Sequence, residues 1–236
     1  FDDEMLGWYR TYKRLHLRLF PYDWMLAQRI AVDGRPIVRP FGLAHPEAGV
    51  HPSDEYMFGD DLLVAPVLER DARSRSVIFP SGRWVDFFDG HAASGPDTKD
   101  VDAPLGSLPL YVREGGIIPM LRPTIDAIAP TTEPDRVDSF STTPGDLWVR
   151  VVPGPASSFT VFDGTVLAQI EGDPVELSIA PGDLFRLGAV FEVAGFGGAP
   201  SMVTADGVPL AKVDPSAIAG TIGAYALGDD GSVSVH

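Results

Sequence analysis

The first 35 residues carry apolar side chains at helical spacing. In FDDEMLGWYRTYKRLHLRLF, Leu6, Tyr9, Lys13 and His16 follow that spacing, as do Leu15 and Leu19. Asp2, Asp3 and Glu4 suit a helix N-terminus, and Arg10, Lys13, Arg14 and Arg18 come later in the segment. Pro21 removes one backbone donor, which predicts a kink or a restart of the helix at its first turn. YDWMLAQRIAVDG continues the helical pattern, with Gly34 placed as its C-terminal cap. Both pieces are rich in large apolar residues, so they predict a bulky packing partner.

From Pro36 the period changes. RPIVRPFGL, DDLLVAPVLE, RSVIFP, RWVDFFDG, LPLYVR and GIIPML are short runs rich in Val, Ile and Phe, punctuated by Pro and Gly. That pattern predicts an antiparallel sandwich. The stretch from Leu121 to Ser139 holds Pro123, Pro130 and Pro134 with few apolar residues and reads as a linker. Beyond it lie further strand candidates, among them DLWVRVVP, SFTVFDG, PVELSIAPG, FEVAGF and GSVSVH. Asp163-Gly164, Asp206-Gly207 and Asp230-Gly231 are turn signals between them.

Composition narrows the partners. The formal charge of the 236 residues is −15, which argues against nucleic acid and anionic membrane and fits a neutral ligand. Residues 1–122 hold 18 acidic and 14 basic side chains, net −4; residues 123–236 hold 15 and 4, net −11. The second half therefore reads as an acidic β-domain. The absence of cysteine excludes a disulfide framework and a thiol nucleophile. No apolar run approaches the roughly 20 residues of a membrane span. The chain opens on Phe1 rather than Met, and the expectation is that it starts partway through a longer polypeptide.

Candidate chemistry is sparse. A glycosidase needs two carboxylates, about 5–5.5 Å apart for retention or about 6.5–9.5 Å for inversion. Asp60 and Asp61 follow Gly59 where a loop meets a strand, so they read as structural acids of a turn. Asp89-Gly90 and Asp163-Gly164 read as hairpin turns. The five histidines, His16, His45, His51, His91 and His236, show no metal-ligand spacing. GDDGS and FDGHAASGPDTKD cluster oxygens but do not match an EF-hand loop. There is no G-x-S-x-G elbow, P-loop or G-x-G-x-x-G. In GRWVDFFDG, strand alternation puts Trp84 and Phe88 on one face and Phe87 on the other. Trp84, and later Trp148, are candidate sugar-stacking platforms, with core packing as the alternative for Trp84.

Five segments carry a resemblance. In order, RLHLRLFPYDWMLAQ, GRPIVRPFGLAHPE, DEYMFGDDLLVAPVLE, VIFPSGRWVDFFDG and LPLYVREGGIIPML resemble the C-terminal part of glycoside hydrolase family 31, which contains α-glucosidases and α-xylosidases. SFTVFDGT and FEVAGFGGAPSMVTADGVPL are more loosely similar to that family's distal β-domain. The resemblance implies a mainly β fold: a helical lead that is the last helix of a (β/α)8 barrel, then two antiparallel β-sandwich domains. The implied division is 1–35 barrel end, 36–121 proximal sandwich, 122–136 linker and 137–236 distal sandwich. It implies a retaining α-glycosidase whose catalytic aspartates lie on the barrel, so no catalytic, cofactor or metal residue is expected in this chain. Its partners would be carbohydrate through the catalytic domain and the rest of the parent chain, with no nucleic acid and no membrane. Arg39, Asp60, Asp61, Arg113 and Glu114, which fall in the matching motifs, are expected to be structural. Arg113 and Glu114 stand as an adjacent ion pair before Gly115-Gly116, whose flexibility would let the backbone reverse. Two other readings remain open, a stand-alone carbohydrate-binding module and a structural interaction module that has lost catalysis.

Overall fold

The computed structural model, which describes residues 2–236, opens with two helices, α1 (Asp3–Arg18) and α2 (Phe20–Asp33). The Asp2 side chain accepts the Met5 backbone N–H at 2.9 Å and caps α1. Asp3 and Glu4 fill its first turn, where the positive end of the helix dipole favours acids. The break falls at Leu19, and Pro21 lies in the first turn of α2, where a missing N–H leaves nothing unsatisfied. Gly34 ends α2 at φ +71°, its N–H on the Ile30 carbonyl.

Six strands follow: β1 (Val38–Pro40), β2 (Tyr56–Phe58), β3 (Leu62–Val64), β4 (Ser74–Asp86), β5 (Ala92–Asp102) and β6 (Leu110–Arg113). They form one sheet in the order β1-β2-β3-β6-β4-β5, antiparallel throughout. The remaining strands are β7 (Ile117–Met120), β8 (Leu147–Val151), β9 (Ser157–Thr160), β10 (Val166–Ile170), β11 (Glu176–Ala180), β12 (Ala189–Val193), β13 (Thr204–Ala205), β14 (Val208–Pro209), β15 (Ala211–Lys212), β16 (Ala224–Leu227) and β17 (Val233–Val235). A second six-stranded sheet has the order β15-β16-β17-β12-β8-β7, with a three-stranded sheet β11-β10-β9 and a small β13-β14 hairpin beside it. The protein is mainly β, as the alternation implies. Two pairings in the second sheet, β8 with β12 and β15 with β16, are parallel rather than antiparallel.

The chain leaves the first sheet at Gly115-Gly116. Gly115 has φ +77°, and a Cβ on Gly116 would lie 2.7 Å from the Arg113 carbonyl oxygen. Only glycine fits that reversal. It sends β7 into the second sheet, where Ile117 pairs opposite Val151. Residues 117–120, which the expected division assigns to the proximal sandwich, thus pair with β8 of the second sheet. The 122–136 stretch is likewise docked rather than free. Ile125 is fully buried, Arg122 Nε donates to Asp138 at 2.9 and 3.0 Å, and Arg14 of α1 donates to Asp126 at 2.8 Å.

Side-chain alternation divides the buried residues among three cores. Leu62, Val64, Leu110 and Val112 of the first sheet meet Ile118, Met120, Trp148 and Val190 of the second, closed by Leu15, Leu19, Tyr22 and Leu26 of the helices. Leu63 and Tyr111, on the opposite face, join Phe41, Met57, Val77, Phe79 and Trp84. Ile117, Val149 and Val151 point the other way in the second sheet, towards Val161, Leu167, Phe140 and Phe185. β3 and β7 are buried on both faces, which explains their unbroken apolar runs. Burial of each such side chain contributes about 1.5–3 kcal/mol. The largest core draws on both sheets, and the helices are its lid.

Candidate functional site

The three-residue turn Gly59-Asp60-Asp61 joins β2 to β3, with Gly59 at φ +69°. A Cβ on Gly59 would strike the Tyr22 ring, so the turn lies hard against α2. The two acids splay apart. Asp60 accepts Arg29 Nη1 at 2.7 Å from the last turns of α2, and also accepts Arg39 Nη1 from β1. Arg39 is buried and gives its Nε to the Pro36 carbonyl at 2.9 Å. Arg35 stands 3.9 Å from the same carboxylate. Asp61 accepts Arg113 Nη2 at 2.8 Å, and the backbone repeats the link through Arg113 N–H to Asp61 O at 2.9 Å. Four arginines, from α2, the loop after it, β1 and β6, therefore converge on two adjacent aspartates. The Tyr22 hydroxyl donates to Phe58 O and accepts the Asp61 N–H, both at 3.3 Å.

Burial and partners set the charges. Burial by itself would raise the Asp60 carboxyl, but hydrogen bonds from Arg39 and Arg29 outweigh it and hold the group below the ordinary carboxylate value. Asp61 lies deeper, and burial raises its carboxyl against the pull of Arg113. Burial also drives the Tyr22 phenol well above its ordinary value, which keeps it a neutral hydroxyl. Every hydrogen bond of Asp60 and Asp61 goes to a framework group. Such an arrangement locks α2, β1, the β2–β3 turn and β6 together, and neither acid is free to take a proton from a substrate.

The other singled-out residues resolve individually. Glu114 makes no ion pair among the described residues; the cation beside it turns to Asp61 instead, because β6 pairs with β3 and brings Arg113 alongside the turn. Glu114 is fixed by its backbone N–H on Arg83 O at 2.8 Å. Trp84 is 0% exposed, and its indole N–H donates to Pro80 O at 3.0 Å. Trp148 is 6% exposed under the Arg18 guanidinium, 5.9 Å from the ring centroid. Neither tryptophan offers a face to a sugar. β4 ends at Asp86, so Phe88 is not opposite Trp84 on a strand but sits in the following turn at 41% exposure. Phe87 does face away from Trp84, into the core shared by the two sheets. Asp89-Gly90, Asp163-Gly164, Asp206-Gly207 and Asp230-Gly231 each lie in a turn between paired strands. Among the described residues no group of three or more His, Asp or Glu is placed to hold a metal ion.

A second charged cluster escaped the sequence reading. Arg150 of β8 donates to Glu192 of β12 at 3.1 Å and to the carbonyl of Phe87, just after β4. Arg18 donates its Nε to Leu121 O at 3.2 Å and stands 3.8 Å from Glu192. The cluster ties α1, the second sheet and the turn after β4 together beside Trp148. Its members lie 42 and more residues apart and pair only once the parallel β8–β12 register is set. Arg29 and Arg35 were missed for a related reason, since helix-end basic residues carry no motif of their own.

Two clefts flank the aspartate turn. One, of about 650 Å³, is bordered by Arg35, Arg39, Leu43, His45, Asp60 and Arg113. The other, of about 220 Å³, lies between Tyr22, Arg29, Asp61, Arg113 and Ser158. Asp60 and Arg113 border both.

Comparison with known proteins gives this region an identity. Residues 34–118 match the family model described as glycosyl hydrolase family 31 C-terminal domain. An alpha-glucosidase of Saccharolobus solfataricus is 34% identical over 108 residues, covering 45% of this chain and 15% of that protein. An alpha-xylosidase of the same organism is 31% identical over 155 residues, covering 64% and 20%. The cycloalternan-forming enzyme of Listeria monocytogenes, solved with a pentasaccharide substrate, superposes with a TM-score of 0.79 at 26% identity. That match covers 99% of this chain and 22% of that one. The chain thus spans a fifth or less of these two curated relatives. The matched segment contains the first sheet and the Arg39, Asp60, Asp61 and Arg113 hub, so it is over residues 34–118 that the chain matches the C-terminal domain of glycoside hydrolase family 31.

Proposed function

We propose that this chain is the non-catalytic C-terminal part of a retaining α-glycosidase, whose catalytic domain cleaves terminal α-linked sugars through a covalent glycosyl intermediate. The carrying observation is the helix pair. One side of it is the lid of the core between the sheets, through Leu15, Leu19, Tyr22 and Leu26. The other side leaves Met5, Leu6, Tyr9, Trp24 and Ile30 at 36–62% exposure and Val32 at 88%. A surface of that kind suits a helix of a larger domain, and the family match supplies the larger domain. On this reading residues 1–35 end a (β/α)8 barrel, 36–121 and 137–236 are proximal and distal β-domains, and 122–136 connect them. The chain's role is to buttress the barrel, through the Asp60–Asp61 hub at the α2 end and the Arg18–Glu192–Arg150 cluster at the α1 end.

No residue of the chain is assigned to the chemistry. The adjacent acids Asp60 and Asp61 are engaged by arginines, and the buried Trp84 and Trp148 disfavour a sugar-stacking module. Two measurements test the reading. The reading frame ahead of Phe1 is expected to continue into a barrel with acidic residues at its strand ends; a start codon just ahead of Phe1 overturns the proposal. The purified 236-residue chain is expected to show no turnover of aryl α-glucosides or α-xylosides, and turnover by a clean preparation would place catalytic groups within it.

A further inference from the structure

We propose that the 650 Å³ cleft beside the aspartate turn is a binding site for a small phosphate-class oxyanion, free or carried on a sugar. Three arginines around the cleft keep unused donors. Arg35 makes no side-chain hydrogen bond among the described residues; its nearest carboxylates, Asp33 and Asp60, both stand at 3.9 Å. Arg39 spends Nε on Pro36 O and Nη1 on Asp60, which leaves Nη2. Arg113 spends Nε and Nη2 on Asp61, which leaves Nη1. All three guanidiniums border the one cleft, with Asp60 the single acid on its wall. Asp60 is already committed to Arg39 and Arg29, Asp61 to Arg113 and Asp33 to Arg29, so Arg29, Arg35, Arg39 and Arg113 face only these three carboxylates and Arg35 is the cation left without a close partner.

The placement gives the donors a rigid geometry. Arg39 is buried and Arg113 is clamped by Asp61, so two of the three guanidiniums are held before any ligand arrives. Preorganised, planar donors in a concave site are what phosphate and carboxylate groups select. A cationic pocket in a chain of net charge −15 also concentrates its field at one place on an otherwise repelling surface. Leu43 at 64% exposure stands at the mouth and supplies an apolar edge. A ligand with one oxyanion and a compact neutral body fits both features. The proposal stands apart from the glycosidase reading, since the site uses none of the chemistry that reading places on the barrel.

The test is calorimetric titration of the intact polypeptide with inorganic phosphate, then with glucose 6-phosphate and with glucose. Saturable phosphate binding is expected, weakening as NaCl rises from 50 to 500 mM. Arg35→Ala removes a guanidinium that makes no side-chain hydrogen bond and only two loose ion pairs at 3.9 Å, and should weaken binding about ten-fold or more. Arg70→Ala, at an arginine whose side chain is 96% exposed and remote from the cleft walls, should change nothing. Leu43→Glu is the second variant; it places a negative charge at the mouth without touching an ion pair and should abolish binding. Tighter binding of glucose 6-phosphate than of phosphate identifies a sugar phosphate as the ligand, and equal binding identifies the oxyanion alone. Absence of saturable phosphate binding overturns the proposal. So does binding that Arg35→Ala and Leu43→Glu leave intact, or glucose binding as tightly as its phosphate.

Discussion

Asp60 and Asp163 are both partly buried carboxylates beside a glycine in a β-turn, and both are held below the ordinary carboxylate value. They are held in different ways. Asp60, in the first sheet, is paired by the guanidiniums of Arg29 and Arg39. Asp163, in the second region, has no cation within salt-bridge distance among the described residues. It accepts the backbone N–H groups of Thr165, Leu184 and Phe185 at 3.0–3.2 Å and the Thr165 hydroxyl at 2.9 Å. The contrast explains the uneven charge of the chain. Residues 123–236 hold only 4 basic side chains against 15 acids; Arg136 and Arg150 pair with Glu133 and Glu192, and several other acids there rely on backbone donors or on arginines lent from residues 1–122. Asp126 and Asp138 are of the second kind, paired with Arg14 and Arg122. The first region joins elements by charge. The second does so at Arg150–Glu192 and shapes its turns by hydrogen bonds.

The largest effect that separates the two arrangements lies in the hub. Asp60→Ala leaves the buried Arg39 without a counter-charge and should cost about 3 kcal/mol in urea unfolding. Asp60→Asn should cost nearly as much, because an amide cannot balance a guanidinium. Asp163→Ala leaves three backbone donors unsatisfied and should cost about 2 kcal/mol. Asp163→Asn should recover much of that, since its amide oxygen still accepts N–H bonds. If asparagine rescues both positions equally, or neither, the distinction between charge-held and backbone-held acids is wrong.

This distinction was only half legible in the chain. The helices, their break before Pro21 and the Gly34 cap follow from local rules, and the structure has them in place. The short apolar runs name most strands, and Asp-Gly pairs mark hairpins because their backbone demands are local. What sequence pattern does not carry is which sheet a strand joins. IIPM is equally apolar on both faces, and only the Gly115-Gly116 reversal and the Val151 register send it to the second sheet. The hub shows the same limit. Asp60 and Asp61 are read as turn residues, which they are, but their partners come from positions 21 to 52 residues away. Adjacent Arg113 and Glu114 suggested a local pair, and the β3–β6 register supplied a distant one. Trp84 and Trp148 were legible as large aromatics and illegible as exposed or buried, because depth is fixed by sheet packing. Their depth also confounds glycan-binding tests by mutation: Trp84→Ala would cost about 3–5 kcal/mol as a core deletion before any sugar contact could be read from it.

A smaller effect is expected at Arg113. Its side chain is 45% exposed, so part of its attraction to Asp61 is screened by solvent. Arg113→Ala should lower stability by about 1–2 kcal/mol, mostly through the deeper Asp61 carboxylate left behind. In the parent glycosidase proposed above, substrate preference should not move. A changed preference at normal stability would transfer Arg113 from framework to specificity and dissolve the contrast between the two regions.

The smallest effect is a difference of sign with pH between two backbone-held acids. Burial alone would raise Asp163, but its backbone bonds win and lower it. Asp86 is raised: burial dominates, and its two bonds, from Phe88 N–H at 2.7 Å and Asp89 N–H at 3.1 Å, offset only part of it. For Asp163 the unfolded chain binds the proton more tightly. Its stabilisation is therefore full above the ordinary value of 3.8 and is lost as the pH falls through the lower folded value. For Asp86 the folded chain binds the proton more tightly, so its contribution is full below 3.8 and is lost as the pH rises through the higher folded value. The stability gap between wild type and Asp163→Asn should widen from pH 3 to pH 6, and the gap for Asp86→Asn should narrow over the same range. Parallel changes in the two gaps would mean that donor number does not decide which acids this fold keeps ionised, and that depth alone does.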